Sequence, residues 1–181
     1  LGLATPASQH TAGQRARRKL EDLRDQICGH LGGRRTPGSA DQLIFTSGGT
    51  EANNLALHGL AGSPPGRVIV SAVEHPSIQA PADALQACGF EVIRLGVNTS
   101  GVVCCQQLAE LVTPETRLVS IMLGNNETGV LQPMREIAQL CKAQGVYLHT
   151  DAVQAVGKID VNFQELGVSA LSLSGHKLHG P

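Results

Sequence analysis

The stretch MREIAQLCKAQGVYLHTD, residues 134–151, places a helical pattern directly before a strand pattern. Its first half repeats apolar residues at the spacing of one helix face, at Met134, Ile137, Leu140 and Cys141. Gly145 then ends the helical turn, and a short apolar run follows that ends on an acid. A helix that leads straight into a buried strand is the unit from which parallel sheets with crossover helices are built.

The same alternation continues along the chain. Candidate strands are residues 43–46, 67–71, 91–95, 118–122, 147–150 and 170–173, and a first long helix is expected from about residue 12 to residue 30. The sequence therefore predicts an α/β fold with three layers, α/β/α, around a mostly parallel sheet. With 181 residues the chain has the length of about one domain.

Composition argues against nucleic-acid binding. The net charge is −1, and only residues 15–19 form a basic cluster, which a solvated helix face explains better than contact with a phosphate backbone. The chain has three Phe, one Tyr and no Trp, so it lacks base-stacking platforms for single strands. We expect no nucleic-acid partner.

Cysteine usage and hydropathy predict a cytoplasmic protein. The five cysteines have neither C-x-x-C spacing nor the framework of a small secreted domain. No apolar stretch approaches the roughly 20 residues that span a bilayer, and residues 1–6 lack the features of a signal peptide. Because the first residue is not Met and the last motif stands close to the end, we expect an internal piece of a longer protein.

Five polar motifs follow candidate strands. They are SGGTE at residues 47–51, EHP at 74–76, NNETG at 125–129, DAVQ at 151–154 and SGHK at 174–177. In an open parallel sheet, ligands bind beyond the carboxyl ends of the strands. We therefore expect these motifs to form one site.

Lys177 and Asp151 indicate the chemistry of that site. An ordinary lysine is a protonated, poor nucleophile, so one that binds a carbonyl compound needs neighbours that activate it. Lys177, beside Ser174 and His176 at a strand end, looks like such a Schiff-base lysine. An acid at a strand end can pair with the ring nitrogen of pyridoxal phosphate and keep it protonated. Asp151 fits that role, although taken alone it also fits a helix N-cap.

The other motifs have structural explanations beside the functional ones. The Gly48-Gly49-Thr50 run either cups a phosphate at a helix N-terminus or forms a turn with Thr50 as N-cap. His75, ahead of a helix-starting proline, either stacks on a cofactor ring and moves protons or has a structural role.

Residues 125–129 have the composition of a turn, whose side-chain amides could also hold a substrate carboxylate or a ring oxygen of the cofactor. His176 and His179 have no third ligand at a recognised metal-binding spacing, so the sequence predicts no metal site.

Together, the motifs resemble one enzyme family. FTSGGTEANN (45–54), EHP (74–76), NNETG (125–129), HTDAVQ (149–154) and SGHK (174–177) occur in the family's order, and the match runs from about residue 8 to residue 181. The chain resembles the cysteine desulfurase and selenocysteine lyase group of class V aminotransferase-like enzymes, and relative to that group it is incomplete at both ends.

The resemblance implies a set of site residues. Lys177 would hold pyridoxal phosphate covalently and move protons, with His75 stacked on the ring as the second catalytic residue. Asp151 would pair with the pyridine nitrogen, and Gln154 would bond the ring hydroxyl. The phosphate group would be held by Thr50, Ser174, His176 and the backbone at Gly49, and Asn126 would meet the substrate side of the cofactor.

The resemblance also implies a domain and an assembly. Residues 1–181 would be the pyridoxal-phosphate-binding large domain of a fold type I enzyme, without its N-terminal segment and C-terminal domain. Family members are homodimers with sites near the subunit interface.

The implied activity is pyridoxal-phosphate-dependent cysteine desulfuration, in which L-cysteine becomes L-alanine and sulfur passes to an enzyme cysteine and then to an acceptor such as a protein. The family's persulfide-forming cysteine and carboxylate-binding arginine lie well beyond the lysine, and none of the five cysteines here matches that position. We therefore expect this chain alone not to complete desulfuration. The alternatives are a selenocysteine lyase acting on L-selenocysteine, another class V enzyme, and a cofactor-binding or interaction fragment without turnover.

Overall fold

A computed structural model describes residues 5–36, 38, 40–178 and 180. The chain divides into two units. The smaller contains the N-terminal part of the chain up to Phe45 together with Asn162–Gln164, and the larger contains Thr46–Val161 and the chain from Glu165 onward.

The smaller unit is built on one long helix, α1 (Thr11–His30). The His10 side chain caps its N-terminus by accepting the Gly13 N–H at 3.2 Å. The helix was predicted from about residue 12 to residue 30, and the structure confirms it. Although α1 has 20 residues, no helix among the described residues is long and apolar enough to cross a membrane.

The predicted first strand, residues 43–46, is wrong, because these residues pair with no strand in the described chain. Ile44 and Phe45 are exposed. Arg24 holds the segment instead: its guanidinium donates to the Leu43 carbonyl at 2.6 Å and lies 4.7 Å from the centre of the Phe45 ring. An apolar run of four residues cannot by itself distinguish a buried strand from an extended segment.

The larger unit contains a five-stranded sheet. Its strands are β1 (Arg67–Ser71), β2 (Glu91–Leu95), β3 (Thr116–Ser120), β4 (Tyr147–Asp151) and β5 (Ala170–Ser172). Its helices are α2 (Gly49–Ala61), α3 (Pro76–Ala87), α4 (Cys105–Leu111) and α5 (Met134–Ala143), while α6 (Phe163–Leu166) starts in the smaller unit and a 3₁₀ turn spans Gly175–Leu178. The sheet order is β2-β1-β3-β4-β5 and every pair is parallel, which confirms the predicted parallel α/β fold.

The other five strand predictions need only small corrections or none. Two strands have the predicted bounds, 67–71 and 91–95. The strand predicted at 118–122 lies two residues earlier, since the ladder partners of β3 begin at Thr116, and residues 121–122 already belong to the loop beyond it. The strands predicted at 147–150 and 170–173 each shift their end by one residue.

Both faces of the central strands are buried. Val68, Val70 and Leu118 point to one face, where they pack in a core with residues of α2 and α3. Ile69 and Val119, which are ladder partners on the opposite face, are also fully removed from solvent. Burying each aliphatic side chain of this size contributes about 1.5–3 kcal/mol, so this two-sided core fixes the sheet.

The strand order places a crevice at one edge of the sheet. From β1 the chain crosses to β2 on one side, and β3 then returns to the other side of β1. At such a switch point the loops after neighbouring strands turn apart and leave room for a ligand. Since all strands are parallel, the polar residues that follow β1, β3, β4 and β5 meet at this edge.

Candidate functional site

All nine residues predicted as a cofactor site line one cavity in the larger unit. They are Gly49, Thr50, His75, Asn126, Asp151, Gln154, Ser174, His176 and Lys177. The cavity has a volume of about 350 Å³, at the lower end of the range for small-molecule sites. Asn53, Ser77, Met122, Gly124 and Val153 complete the lining.

The N-terminus of α2 forms one end of this cavity. Gly48 is its N-cap in an extended conformation and offers no side-chain hydrogen bond, so no side chain caps the first turn. Thr50 lies inside that turn and is not the N-cap. A Cβ at Gly49 would lie 3.3 Å from a methyl carbon of Val153, so the glycine allows the helix to approach the loop after β4 closely. An uncapped helix N-terminus attracts anions.

Ser174, His176 and Lys177 line the same cavity from the turn after β5, and a Cβ at Gly49 would lie 3.8 Å from the Ser174 Cβ. Ser174 is buried, and its hydroxyl oxygen lies 2.7 Å from His176 Nδ1. The Lys177 backbone N–H donates to the Ser174 carbonyl at 3.2 Å. Among the described residues no group pairs with the Lys177 amine, which therefore remains available to a ligand. His179 lies outside the described residues.

Asp151 ends β4, lines the cavity and is buried. Its Oδ1 accepts the Val153 N–H at 2.9 Å, and its Oδ2 accepts the Asn53 side-chain amide at 2.8 Å. The carboxylate thus caps a turn and not a helix N-terminus. Three residues further on, Gln154 Oε1 accepts from Lys158 at 2.6 Å, and its amide nitrogen has no partner within the described part of the chain.

His75 caps α3 and also lines the cavity. Its Nδ1 accepts the Ser77 N–H at 3.1 Å and lies 2.7 Å from the Ser77 hydroxyl oxygen. Pro76 starts the helix, as the sequence predicted. The structural and the functional explanations of this histidine are therefore compatible, because only Nδ1 is used by the cap.

Glu74 is a buried acid to which the sequence assigned no role. Its Oε1 accepts the Ser71 hydroxyl at 2.6 Å and the Met122 N–H at 2.7 Å, which ties the end of β1 to the chain beyond β3. Burial raises the pKa of its carboxyl to about 8, and the charge of Asp151 acts in the same direction. No local pattern marks this role, since Met122 is 48 residues away in the chain.

Asn125 shapes the loop that carries Asn126. Its side-chain oxygen accepts the N–H groups of Glu127 and Thr128 at 3.0 and 2.9 Å. Gly129 then takes a positive φ of 74°. These contacts confirm the predicted turn, and they leave the second asparagine of the pair at the cavity.

His149 lies in β4, two residues before Asp151. It is fully buried in β4, with Nδ1 2.9 Å from the Ser120 hydroxyl and Nε2 3.0 Å from the Ser172 hydroxyl. Burial lowers its pKa to about 3, so the imidazole is neutral in the fold. The side chains of Ser120, His149 and Ser172 thus join β3, β4 and β5.

The donor set fits pyridoxal phosphate. The lining combines a helix N-terminus with the polar side chains of Ser174, His176 and Lys177, which suits a phosphate group. Asp151 is an acceptor in the same lining, which suits a protonated ring nitrogen. Within residues 5–36, 38, 40–178 and 180, no group of three His, Cys, Asp or Glu side chains is arranged to hold a metal ion.

The sequence matches the Aminotransferase class-V family over residues 3–181. It is 42% identical over 179 residues to the cysteine desulfurase IscS of Dictyoglomus turgidum, covering 97% of this chain and 44% of that protein. It is 41% identical over 175 residues to the mitochondrial cysteine desulfurase of Drosophila melanogaster, covering 95% of this chain and 37% of that protein. The chain thus spans under half the length of these relatives.

Solved structures share the fold. A structure described as SspA in complex with cysteine superposes with a TM-score of 0.88 at 33% identity, covering 97% of this chain and 50% of that one. The NifS-like protein of Rickettsia africae gives a TM-score of 0.82 at 36% identity, covering 97% of this chain and 47% of that one. With a family match across nearly the whole sequence, this chain belongs to the aminotransferase class-V family.

Proposed function

We propose that this chain is the cofactor-binding part of a cysteine desulfurase, the large domain of a fold type I enzyme. Class V aminotransferases and cysteine desulfurases depend on pyridoxal phosphate. The observation that carries the proposal is the gathering of nine residues from five separate segments of the chain around one cavity of about 350 Å³. The reaction is the conversion of L-cysteine to L-alanine with transfer of sulfur to a cysteine thiol.

Each lining group has a task that its position supports. The uncapped α2 N-terminus, Thr50, Ser174 and His176 bind the phosphate group. Asp151 would accept a hydrogen bond from the ring nitrogen, and the amide nitrogen of Gln154, which has no partner among the described residues, would donate to the ring hydroxyl. When bound, the cofactor supplies an electron sink that stabilises negative charge at the substrate Cα.

Lys177 and His75 handle covalent attachment and protons. The Lys177 amine, unpaired among the described residues, would hold the cofactor covalently through its carbonyl carbon, with loss of water, and would carry protons at Nζ. His75 would contact the cofactor ring and would exchange protons at Nε2, since its Nδ1 is used by the α3 cap. Asn126 contacts the substrate side of the site.

No cysteine of this chain is assigned the sulfur-accepting role. None of the five cysteines lines the cavity. Burial raises the pKa of Cys141 to about 12 and also raises that of Cys105, whereas a sulfur nucleophile acts as a thiolate. We assign this role, and the binding of the substrate carboxylate, to residues outside this chain, so the chain alone is expected not to turn over.

The assembly and location are part of the same proposal. The five cysteines are free thiols, as expected in a reducing compartment, and the assembly follows the family resemblance. The proposed protein is a cytoplasmic homodimer that hands sulfur to an acceptor protein.

Trapping of the cofactor on one lysine tests the proposal. Pyridoxal phosphate is added, borohydride fixes it to the amine that bound it, and peptide mass mapping locates the label. We expect the label on Lys177 alone, and its loss in Lys177→Ala. The matched control is Lys142→Ala in α5, which leaves the cavity unchanged. Label spread over several lysines, or retained in full by Lys177→Ala, would show that no such site is formed.

A further inference from the structure

Asn53 occupies a central place in the site. It lies in the second turn of α2, lines the cavity and is only 1% exposed. Its side-chain nitrogen donates to Asp151 Oδ2 and to Ser77 Oγ, each at 2.8 Å. Both amide protons are therefore used. Turning the amide over would set its oxygen against the Asp151 carboxylate, so the ionised carboxylate fixes the orientation of the amide.

The direction of the next hydrogen bond follows from this orientation. Because Ser77 Oγ accepts from Asn53, its own proton points to His75 Nδ1, 2.7 Å away. The Ser77 N–H donates to the same nitrogen. With two donors aimed at Nδ1, that nitrogen is an acceptor, and the neutral ring carries its proton on Nε2.

We propose that Asn53 is a positioning residue of this site, which orients the Asp151 carboxylate and, through Ser77, fixes the Nε2-protonated tautomer of His75. The importance of both neighbours for the reaction rests on the proposed function. The tautomer itself does not, because it requires no bound cofactor. The consequence is that His75 exchanges protons with a ligand at Nε2 only.

We call the hydrogen bonds from Asn53 to Ser77 and from Ser77 to His75 the relay. Nitrogen-15 NMR of the histidine rings in the full chain, without added cofactor, tests it. His75 is assigned by comparison with His75→Gln. In the native chain we expect Nδ1 to show the signature of a hydrogen-bonded acceptor and Nε2 that of a protonated nitrogen. Finding the proton on Nδ1 of neutral His75 would overturn the proposal.

Two variants break the relay at different points. Asn53→Asp has nearly the same shape but offers an acceptor, so the Ser77 hydroxyl turns toward it and Nδ1 loses one donor. Ser77→Ala removes the same donor directly. We expect both changes to move the His75 Nδ1 resonance in the same direction. The double variant, Asn53→Asp with Ser77→Ala, should move it no further than Ser77→Ala alone, because the effects of coupled residues are not additive.

Asn54→Asp is the matched control for charge. Asn54 follows Asn53 on α2, but its side chain donates to the Thr50 carbonyl of its own helix and bonds to no other residue that the structure describes. We expect it to leave the His75 resonances close to their native positions. The relay is refuted if Asn53→Asp shifts the His75 Nδ1 resonance no more than Asn54→Asp does. It is also refuted if Asn53→Asp shifts that resonance equally when Ser77 is already Ala, because the shift then comes from the added negative charge and not from the hydroxyl.

Cofactor affinity tests the second half of the proposal. Asn53→Leu removes a buried donor to a charged carboxylate, so we expect pyridoxal phosphate to bind about ten- to a hundredfold more weakly. The control Asn54→Leu should bind pyridoxal phosphate with the native affinity. Unchanged affinity in Asn53→Leu would show that Asn53 does not orient Asp151. If the native chain bound no cofactor, the proposed function would fail while the His75 spectra would still decide the relay.

Discussion

At the scale of single residues, the buried acid Glu74 makes stability depend on pH. The pKa of its carboxyl is about 8 in the fold, against an ordinary value of 4.5. Between these values the folded state holds a proton that the unfolded chain has lost. The free energy of unfolding therefore falls as the pH rises, by at most about 1.4 kcal/mol per pH unit.

His149 acts with the opposite sign in a different range. Its pKa is about 3 in the fold, against an ordinary value of 6.5, so its contribution to stability is lost as the pH falls from 6.5 toward 3. The two effects oppose each other between pH 4.5 and 6.5. From pH 6.5 to about 8 only the effect of Glu74 remains.

We expect Glu74→Gln to abolish the loss of stability between pH 6.5 and 8, because glutamine does not titrate yet keeps an oxygen for Ser71 and Met122. Urea unfolding at both pH values measures this. The control is Glu110→Gln, the same change on an exposed residue of α4, which should retain the native slope. A native chain equally stable at pH 6.5 and 8 would contradict a buried acid that titrates near pH 8.

At the scale of elements, α2 links the core to the site. Its first and second turns bring Gly49, Thr50 and Asn53 to the cavity, and its later turns bury Leu57 and Ala61 in the core beside β1. The helix has no side-chain N-cap, so its position depends on this packing. Loss of packing in α2 should therefore affect the cavity as well as the stability.

Leu57→Ala should lower the free energy of unfolding by about 2–5 kcal/mol, because the removed side chain is fully buried. Leu55→Ala, two residues away and 50% exposed, should change it by less than about 0.5 kcal/mol. Urea unfolding of both variants measures the difference. Equal losses in the two variants would mean that α2 does not pack on the sheet by the face containing Leu57.

At the scale of the whole molecule, the strand order predicts that backbone amides in central strands exchange hydrogen with solvent more slowly than amides in edge strands. β3 lies in the middle of the sheet with a partner on each side, whereas β2 has one partner in the described chain. We expect the amides of Leu118 and Val119 to exchange with solvent only on global unfolding, which costs about 5–15 kcal/mol in domains of this kind. Amides of β2 should exchange faster through local opening.

Hydrogen exchange followed by NMR measures this difference residue by residue. The comparison of Val119 with Ile93 is internal to one sample, so differences in protein stability between preparations cancel. Slower exchange in β2 than in β3 would contradict a central position for β3 and with it the observed strand order.

The sequence by itself determined the parallel α/β fold and the polar motifs at the ends of β1, β3, β4 and β5, because these depend on local periodicity and on residues next to strand ends. The choice of nine cavity residues within the motifs followed from the family resemblance. It failed at residues 43–46, where a short apolar run has no distinctive period. Only the tertiary structure revealed Glu74 bonded to Met122, Asn53 bonded to Asp151, and His149 between two serines. The bonds of Glu74 and Asn53 join residues 48 and 98 positions apart. Such partners are set by how strands and helices pack, so no local pattern contains them.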